Sequence, residues 1–204
     1  MLVFVIALSF FSSAFTQAAQ VPLTGITTRL LQFDDIATTA GWGDLPSNYS
    51  HLSFNGFLAL RPSAPELEGT ISEHDLNCAA SSPNAVYGTR YNHQVPATPE
   101  ISLLHDSKFS SFAFRSFKIK PLDLPPFSYA VLKLRGIPAQ GEALEWSVDF
   151  PNGFHDMFTV KIDEFSGKSW RGLDSLQITA DFVSGDQYMD WEFCFDDLEV
   201  ALER

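Results

Sequence analysis

The sequence predicts an all-β fold, a single antiparallel β-sandwich. Three observations carry that prediction. Short runs rich in Phe, Val, Ile and Thr alternate apolar with polar residues. Pro and Gly separate these runs at regular spacing. Apolar residues at helical spacing are scarce.

In chain order, Thr27 to Phe33 reads as the first strand, and Leu52 to Leu60 as a strand or a strand with a bulge at Gly56. Ser110 to Lys120 alternates Phe112, Phe114 and then Phe117 with small or basic residues. Its phase slips by one at Arg115-Ser116, as a β-bulge requires. Tyr129–Arg135, Leu144–Phe150, Met157–Ile162, Ser175–Phe182 and Trp191–Val200 complete a set of about eight strands. Turn sequences between them include Leu124-Pro125-Pro126, Pro151-Asn152-Gly153 and Ser184-Gly185-Asp186. The proline-rich stretch between residues 61 and 107 is expected to form long loops around one strand.

The chain has 204 residues, of which 45% are apolar and 19% charged, so a sizeable core is expected and disorder is not. Its formal charge is −12, from 25 acidic and 13 basic side chains. That balance argues against nucleic acid as a partner, because a phosphate-binding surface needs clustered Lys and Arg. Residues 1–15 are almost wholly apolar and run into Ala18-Ala19. They read as a secretory signal peptide over residues 1–19, although no Lys or Arg precedes the apolar run. Residues 20–204 then form the sandwich domain. No later segment reads as a membrane span. The expected location is extracellular.

Secretion changes how the two cysteines read. Cys78 and Cys194 form the single possible disulfide, with two separate buried thiols as the alternative. Asn48-Tyr49-Ser50 is a glycosylation sequon among loop-forming residues, which makes Asn48 a candidate glycosylation site.

Leu31-Gln32-Phe33-Asp34-Asp35-Ile36 resembles Cys194-Phe195-Asp196-Asp197-Leu198 near the other end. First and last strands often lie side by side in jelly rolls, so the two stretches are expected to meet. Together with Leu45-Pro46-Ser47-Asn48-Tyr49-Ser50-His51-Leu52-Ser53-Phe54, Ser81-Ser82-Pro83-Asn84-Ala85-Val86-Tyr87 and Phe112-Ala113-Phe114-Arg115-Ser116-Phe117, they carry a resemblance. The chain resembles a family of fungal secreted β-sandwich proteins of largely unassigned function. That resemblance covers most of the mature chain. It implies a jelly-roll-like architecture, similar to carbohydrate-binding and galactose-binding-like domains. Fold analogy does not fix function.

Several residue groups are candidates for chemistry. If the termini meet, Asp34, Asp35, Asp196 and Asp197 can share one structural calcium ion, since calcium takes six to eight oxygen ligands. The alternative is an acidic rim or Asp side chains capping turn amides. No other cofactor is called for. Trp42, Tyr49, Tyr87 and Tyr91 sit beside Gly, Asn or Ser in apparent loops, where an aromatic ring can stack on a sugar. Trp42 and Tyr87 lead this group, which also takes in Trp170 and Tyr188. The alternative is that such rings plug the ends of the core.

The remaining patterns are less specific. Lys108, Arg115, Lys118, Lys120, Lys133 and Arg135 form a basic stretch, read as a solvent face or an anionic-partner surface. Glu145, Asp149, Asp163 and Glu164 are candidates for glycoside hydrolysis by residue type alone. His74-Asp75, His105-Asp106 and His155-Asp156 repeat a dipeptide that can contribute metal ligands. Gly167-Lys168-Ser169 misses the Gly-x-Ser-x-Gly elbow, and Gly41-Trp42-Gly43 lacks the third glycine of a dinucleotide loop. The expected function is a non-catalytic binding protein that recognises a glycan, a cell wall or a host surface. The alternatives are a polysaccharide-active hydrolase and an effector-like interaction module.

Overall fold

The computed structural model describes residues 25–92, 95–96, 98–124 and 127–204. The expected signal peptide lies outside these residues. About 51% of the described residues are strand, and the sheet pairings are antiparallel throughout. Fifteen strands occur among the described residues: β1 (Thr27–Leu31), β2 (Trp42–Asp44), β3 (Leu52–Asn55), β4 (Phe57–Leu60), β5 (Ala85–Thr89), β6 (Tyr91–Asn92), β7 (Val95–Pro96), β8 (Glu100–Leu103), β9 (Ser111–Pro121), β10 (Ser128–Pro138), β11 (Leu144–Phe150), β12 (Phe158–Lys161), β13 (Leu173–Ser184), β14 (Gln187–Met189) and β15 (Glu192–Glu203). One helical turn, α1 (Ile162–Ser166), follows β12.

Two sheets result. One runs β11-β10-β13-β8-β3, with β14 on the end of β13. The other runs β12-β9-β15-β5-β4-β2, with β1 beside the far half of β15. They join where Leu173 pairs with Phe112. Between them lies one apolar core, with Phe112, Phe114, Phe117, Ile119, Phe193 and Phe195 from one sheet and Leu132, Leu134, Leu176, Ile178 and Phe182 from the other. Each such side chain contributes roughly 1.5–3 kcal/mol by leaving water, so phenylalanine does most to close the sandwich.

The long strands match the sequence reading closely. The expected bulge is present: Glu199 faces Ser116 and Val200 faces Phe114, which leaves Arg115 as the extra residue. The ends also meet as expected, with Thr27 opposite Leu202 and Leu31 opposite Leu198. Two expectations need correction. The stretch 52–60 is two strands, because Gly56 takes a left-handed φ of 78° and sends β3 and β4 into different sheets. The stretch 61–107 holds more than the one strand expected. It supplies β5 and β8 to the two sheets, the small hairpin β6–β7, and two 3-10 turns at Pro65–Leu67 and Glu73–Cys78. Strands of two to five residues are too short for alternation to mark them.

The register shows what the 3-10 turns are for. Phe57, Gly88 and Phe193 are aligned across β4, β5 and β15 and face the core. A β-carbon on Gly88 would lie 2.5 Å from the Phe193 ring, so only glycine fits there. Leu58, Tyr87, Cys194 and Lys120 form the neighbouring row and face outward. Residues 61–84 fold over that outer face as a third layer. Leu60, Ala64 and Leu67 form one small buried cluster beneath it, and Cys78, Ala85, Leu122 and Cys194 form another.

Candidate functional site

The third layer is tied to the sheet by the Cys78–Cys194 disulfide, the pairing expected from sequence, which spans 116 residues. That bond positions two carboxylates. In a 3-10 turn, side chains three apart lie above one another, so Asp75 sits over the turn that ends in Cys78. In a strand, side chains two apart share a face, so Glu192 projects on the same side of β15 as Cys194. Asp123 joins them from the end of β9, where the Leu122 amide donates to the Glu192 carbonyl at 2.9 Å.

These groups line a cavity of about 210 Å³ between sheet and cover. Its walls are Trp42, Leu60, Ile71, Tyr87 and Leu122, with Thr70 and Ser72 at the rim. The Trp42 and Tyr87 rings meet edge to face, with centroids 5.0 Å apart. Trp42 is held by register, opposite Leu60 on the β2–β4 ladder. Gly43 lets β2 approach closely: a β-carbon there would lie 2.4 Å from the Ala37 carbonyl oxygen.

The charges of the site are asymmetric. Lys120 is 1% exposed, and its ammonium lies 2.8 Å from an Asp75 oxygen. It also donates to the His74 and His155 carbonyls and to Asn77 Oδ1. Asp75 is thereby neutralised, and its other oxygen accepts from the Asp123 amide. Asp123 and Glu192 have no cation against them among the described residues, and no Lys, Arg or His lines the cavity. Asp123 and Glu192 both keep solvent exposure; desolvation of Glu192, with the neighbouring Asp123, Asp190 and Asp75 charges, raises its carboxyl above the usual range, against a hydrogen bond from Tyr87. Burial and the Glu192 charge also lift the Tyr87 hydroxyl well above the ordinary tyrosine value.

Of the four aromatics expected to contact a ligand, Trp42 and Tyr87 come together here, and the other two lie elsewhere. Tyr49 stacks on Phe33 at 5.3 Å and donates its hydroxyl to Asp35 at 2.8 Å. Tyr91 is 39% exposed beside Arg90, at the start of the β6–β7 hairpin. Trp170, grouped with them by sequence, is wholly buried and gives its indole N–H to Ser166 Oγ. Tyr188 is exposed on β14.

The carboxylates expected to share calcium have separate partners. Asp34 accepts from the Asn84 amide and Asp35 from Tyr49. Asp196 is completely buried and accepts from the amides of Ser81 and Asp197 and from Ser81 Oγ, and burial pushes its carboxyl up to about 7. Asp197 pairs with Lys118 at 2.7 Å and accepts from Gln32. Among the described residues no three His, Cys, Asp or Glu side chains gather so as to hold a metal ion. Short strand ends and turns use these carboxylates to satisfy amides, which is the alternative the sequence left open. Of the histidines, His74 and His155 stack ring on ring at 4.1 Å.

Apart from Lys108, which lies over the Phe109 ring, the basic stretch is also consumed in pairs. Besides Lys118 and Lys120, Arg115 meets Asp163, Lys133 meets Asp181 and Arg135 meets Glu145. Asp163 and Glu145 are thus engaged, as is Glu164 with Lys161. None of these acids, nor Asp149, lines the cavity. Asn48 is exposed between β2 and β3, with Oδ1 accepting from the His51 amide.

Sequence reading missed the acidic side of the cavity. Asp75 stands in a repeated His-Asp dipeptide and Glu192 in the last expected strand, Trp191–Val200. The available signal was their offset from the cysteines, three residues before Cys78 and two before Cys194. No protein-family model matches the chain, and no curated protein matches it. Among the described residues no helix is long and apolar enough to cross a membrane.

Proposed function

We propose that the protein is secreted and binds a glycan, with one sugar ring seated in the Trp42–Tyr87 cavity. The observation that carries this reading is the meeting of two aromatic rings with two uncompensated carboxylates, Asp123 and Glu192, at one concave site. Aromatic walls take the apolar face of a pyranose, and carboxylates accept hydrogen bonds from its hydroxyls. Drug-sized ligands occupy pockets of roughly 300 Å³ and more, so about 210 Å³ suits a single ring better than a chain threaded through. The ligand contact is then a chain end or a branch. The disulfide and the exposed Asn48 sequon suit an extracellular setting.

The test is retention on insoluble chitin, β-glucan and cellulose. Wild type should be retained on at least one polymer, and Trp42→Ala should lose most of that retention. Trp170→Ala, which removes a core ring, should unfold the protein instead of weakening binding selectively. Retention on none of the polymers would sink the reading. A second reading, a polysaccharide hydrolase, is favoured by the raised carboxyl of Glu192 beside Asp123. Release of reducing sugar that disappears in Glu192→Gln would promote it.

A further inference from the structure

We infer that the cavity selects a cationic sugar, a pyranose carrying a protonated amine, over a neutral or acidic one. This rests on the glycan-binding reading above and names the ligand class of the same site.

The inference starts from what the cavity lacks. Its lining includes three carboxylates, Asp75, Asp123 and Glu192, and no basic side chain. Lys120, outside the lining, is buried in a cage of Asp75, Asn77 Oδ1 and two backbone carbonyls. Lys120 compensates Asp75 and leaves Asp123 and Glu192 in excess. An ammonium seated between those two carboxylates would supply the missing countercharge.

The aromatic walls add to this preference. A cation is attracted to the face of a tryptophan or tyrosine ring, and the attraction strengthens where water is displaced. The rest of the molecule points the same way. The chain carries −12 overall, and the cations of its basic stretch from Arg115 to Arg135 are each paired with an acid. The field at the cavity mouth therefore attracts cations and repels uronic or sialic acids.

Isothermal titration at pH 6.5 with soluble tetrasaccharides tests the inference. The probes are a glucosamine tetramer, its N-acetylated counterpart, a cello-oligomer and an oligogalacturonate. The glucosamine tetramer should bind at least about ten-fold more tightly than either neutral oligomer, since a charge-assisted hydrogen bond exceeds a neutral one by about that factor. The oligogalacturonate should not bind. The double variant Asp123→Asn/Glu192→Gln keeps the shape of the cavity and should bring amine and neutral oligomers to parity. Trp42→Ala should weaken both alike. Circular dichroism melting confirms that each variant is folded. Equal or tighter binding of the neutral oligomers overturns the cationic preference and leaves the glycan-binding reading standing. Glucosamine affinity unchanged in the double variant overturns the assignment to these carboxylates. Binding of no saccharide overturns both.

Discussion

Replacing both cysteines, Cys78→Ala with Cys194→Ala, tests stability and site together. The bond closes 116 residues of the unfolded chain. Chain entropy then predicts a loss of about 5 kcal/mol. For a chain of this length, 1 kcal/mol moves the melting midpoint by roughly 2–4 °C, so the variant should melt about 10–20 °C lower. Burial sharpens the expectation, because both cysteines are fully buried in a small cluster with Ala85 and Leu122, against which Ala79, Tyr87 and Met157 pack. Two alanines leave space where the sulfurs packed. Melting followed by circular dichroism, with and without reductant on the wild type, is the assay. Reduced wild type should fall as far as the double variant. A drop of under about 3 °C in both would refute the claim that this bond holds the third layer to the sheet.

Four further outcomes are expected. Lys120→Met leaves Asp75 buried without its cation and should cost about 3–5 kcal/mol in urea unfolding, with Lys120→Met/Asp75→Leu recovering much of it; equal losses in single and double variants would contradict the buried pair. Gly43→Ala forces β2 away from the Ala37 carbonyl and should destabilise by roughly 1–3 kcal/mol while displacing Trp42, read as weakened polymer retention in a protein that still folds. Asp196, pushed up to about 7, holds a proton in the fold that the unfolded chain releases near its ordinary 3.8, so its contribution to stability is present below pH 4 and is lost as pH rises to about 7. The free energy of unfolding in urea should fall from pH 5 to pH 8 by an amount on the order of 1–4 kcal/mol, and Asp196→Asn should flatten that slope; parallel slopes would exclude Asp196 as the cause. EDTA should leave the melting point unchanged, because Asp34, Asp35, Asp196 and Asp197 already have protein partners.

What was legible in the sequence follows strand length. β9, β10, β13 and β15 run 11 or 12 residues, long enough for alternation to show and for one slip at Arg115 to be placed. β2, β6 and β7 have two or three residues, and a period of two cannot be read in them. The aromatic half of the site was legible from residue type, although Trp42 and Tyr87 stand on the short strands β2 and β5 and not in the loops expected. The acidic half was not. Asp75, Asp123 and Glu192 are far apart in the chain and become neighbours only when a 3-10 turn, a strand end and a disulfide are superposed. Lys120 misled most: it stands among basic residues that face solvent, yet its outward direction is the direction the cover occupies.

That placement has a consequence for how the site depends on the fold. The sandwich core holds more than thirty buried apolar residues, and the clusters under the cover hold four and three. Local opening follows apolar contact density, so residues 61–84 form the part of the molecule that depends most on its covalent tie. Trp42 and Tyr87 stand on strands of the sandwich, while Asp75 stands on the cover. Reduction should therefore separate them before the sandwich melts: Trp42 and Tyr87 stay on their ladder, and Asp75 and its hold on Lys120 leave. Amide exchange would show it directly, with protection lost at 73–78 and kept at 113–119 in the reduced protein at room temperature. Equal protection in both segments would mean that the cover is held by packing alone. The cavity is in this sense a product of the disulfide, since a sandwich without it keeps Trp42, Tyr87 and Glu192 on its strands and loses Asp75 and the wall of Thr70, Ile71 and Ser72.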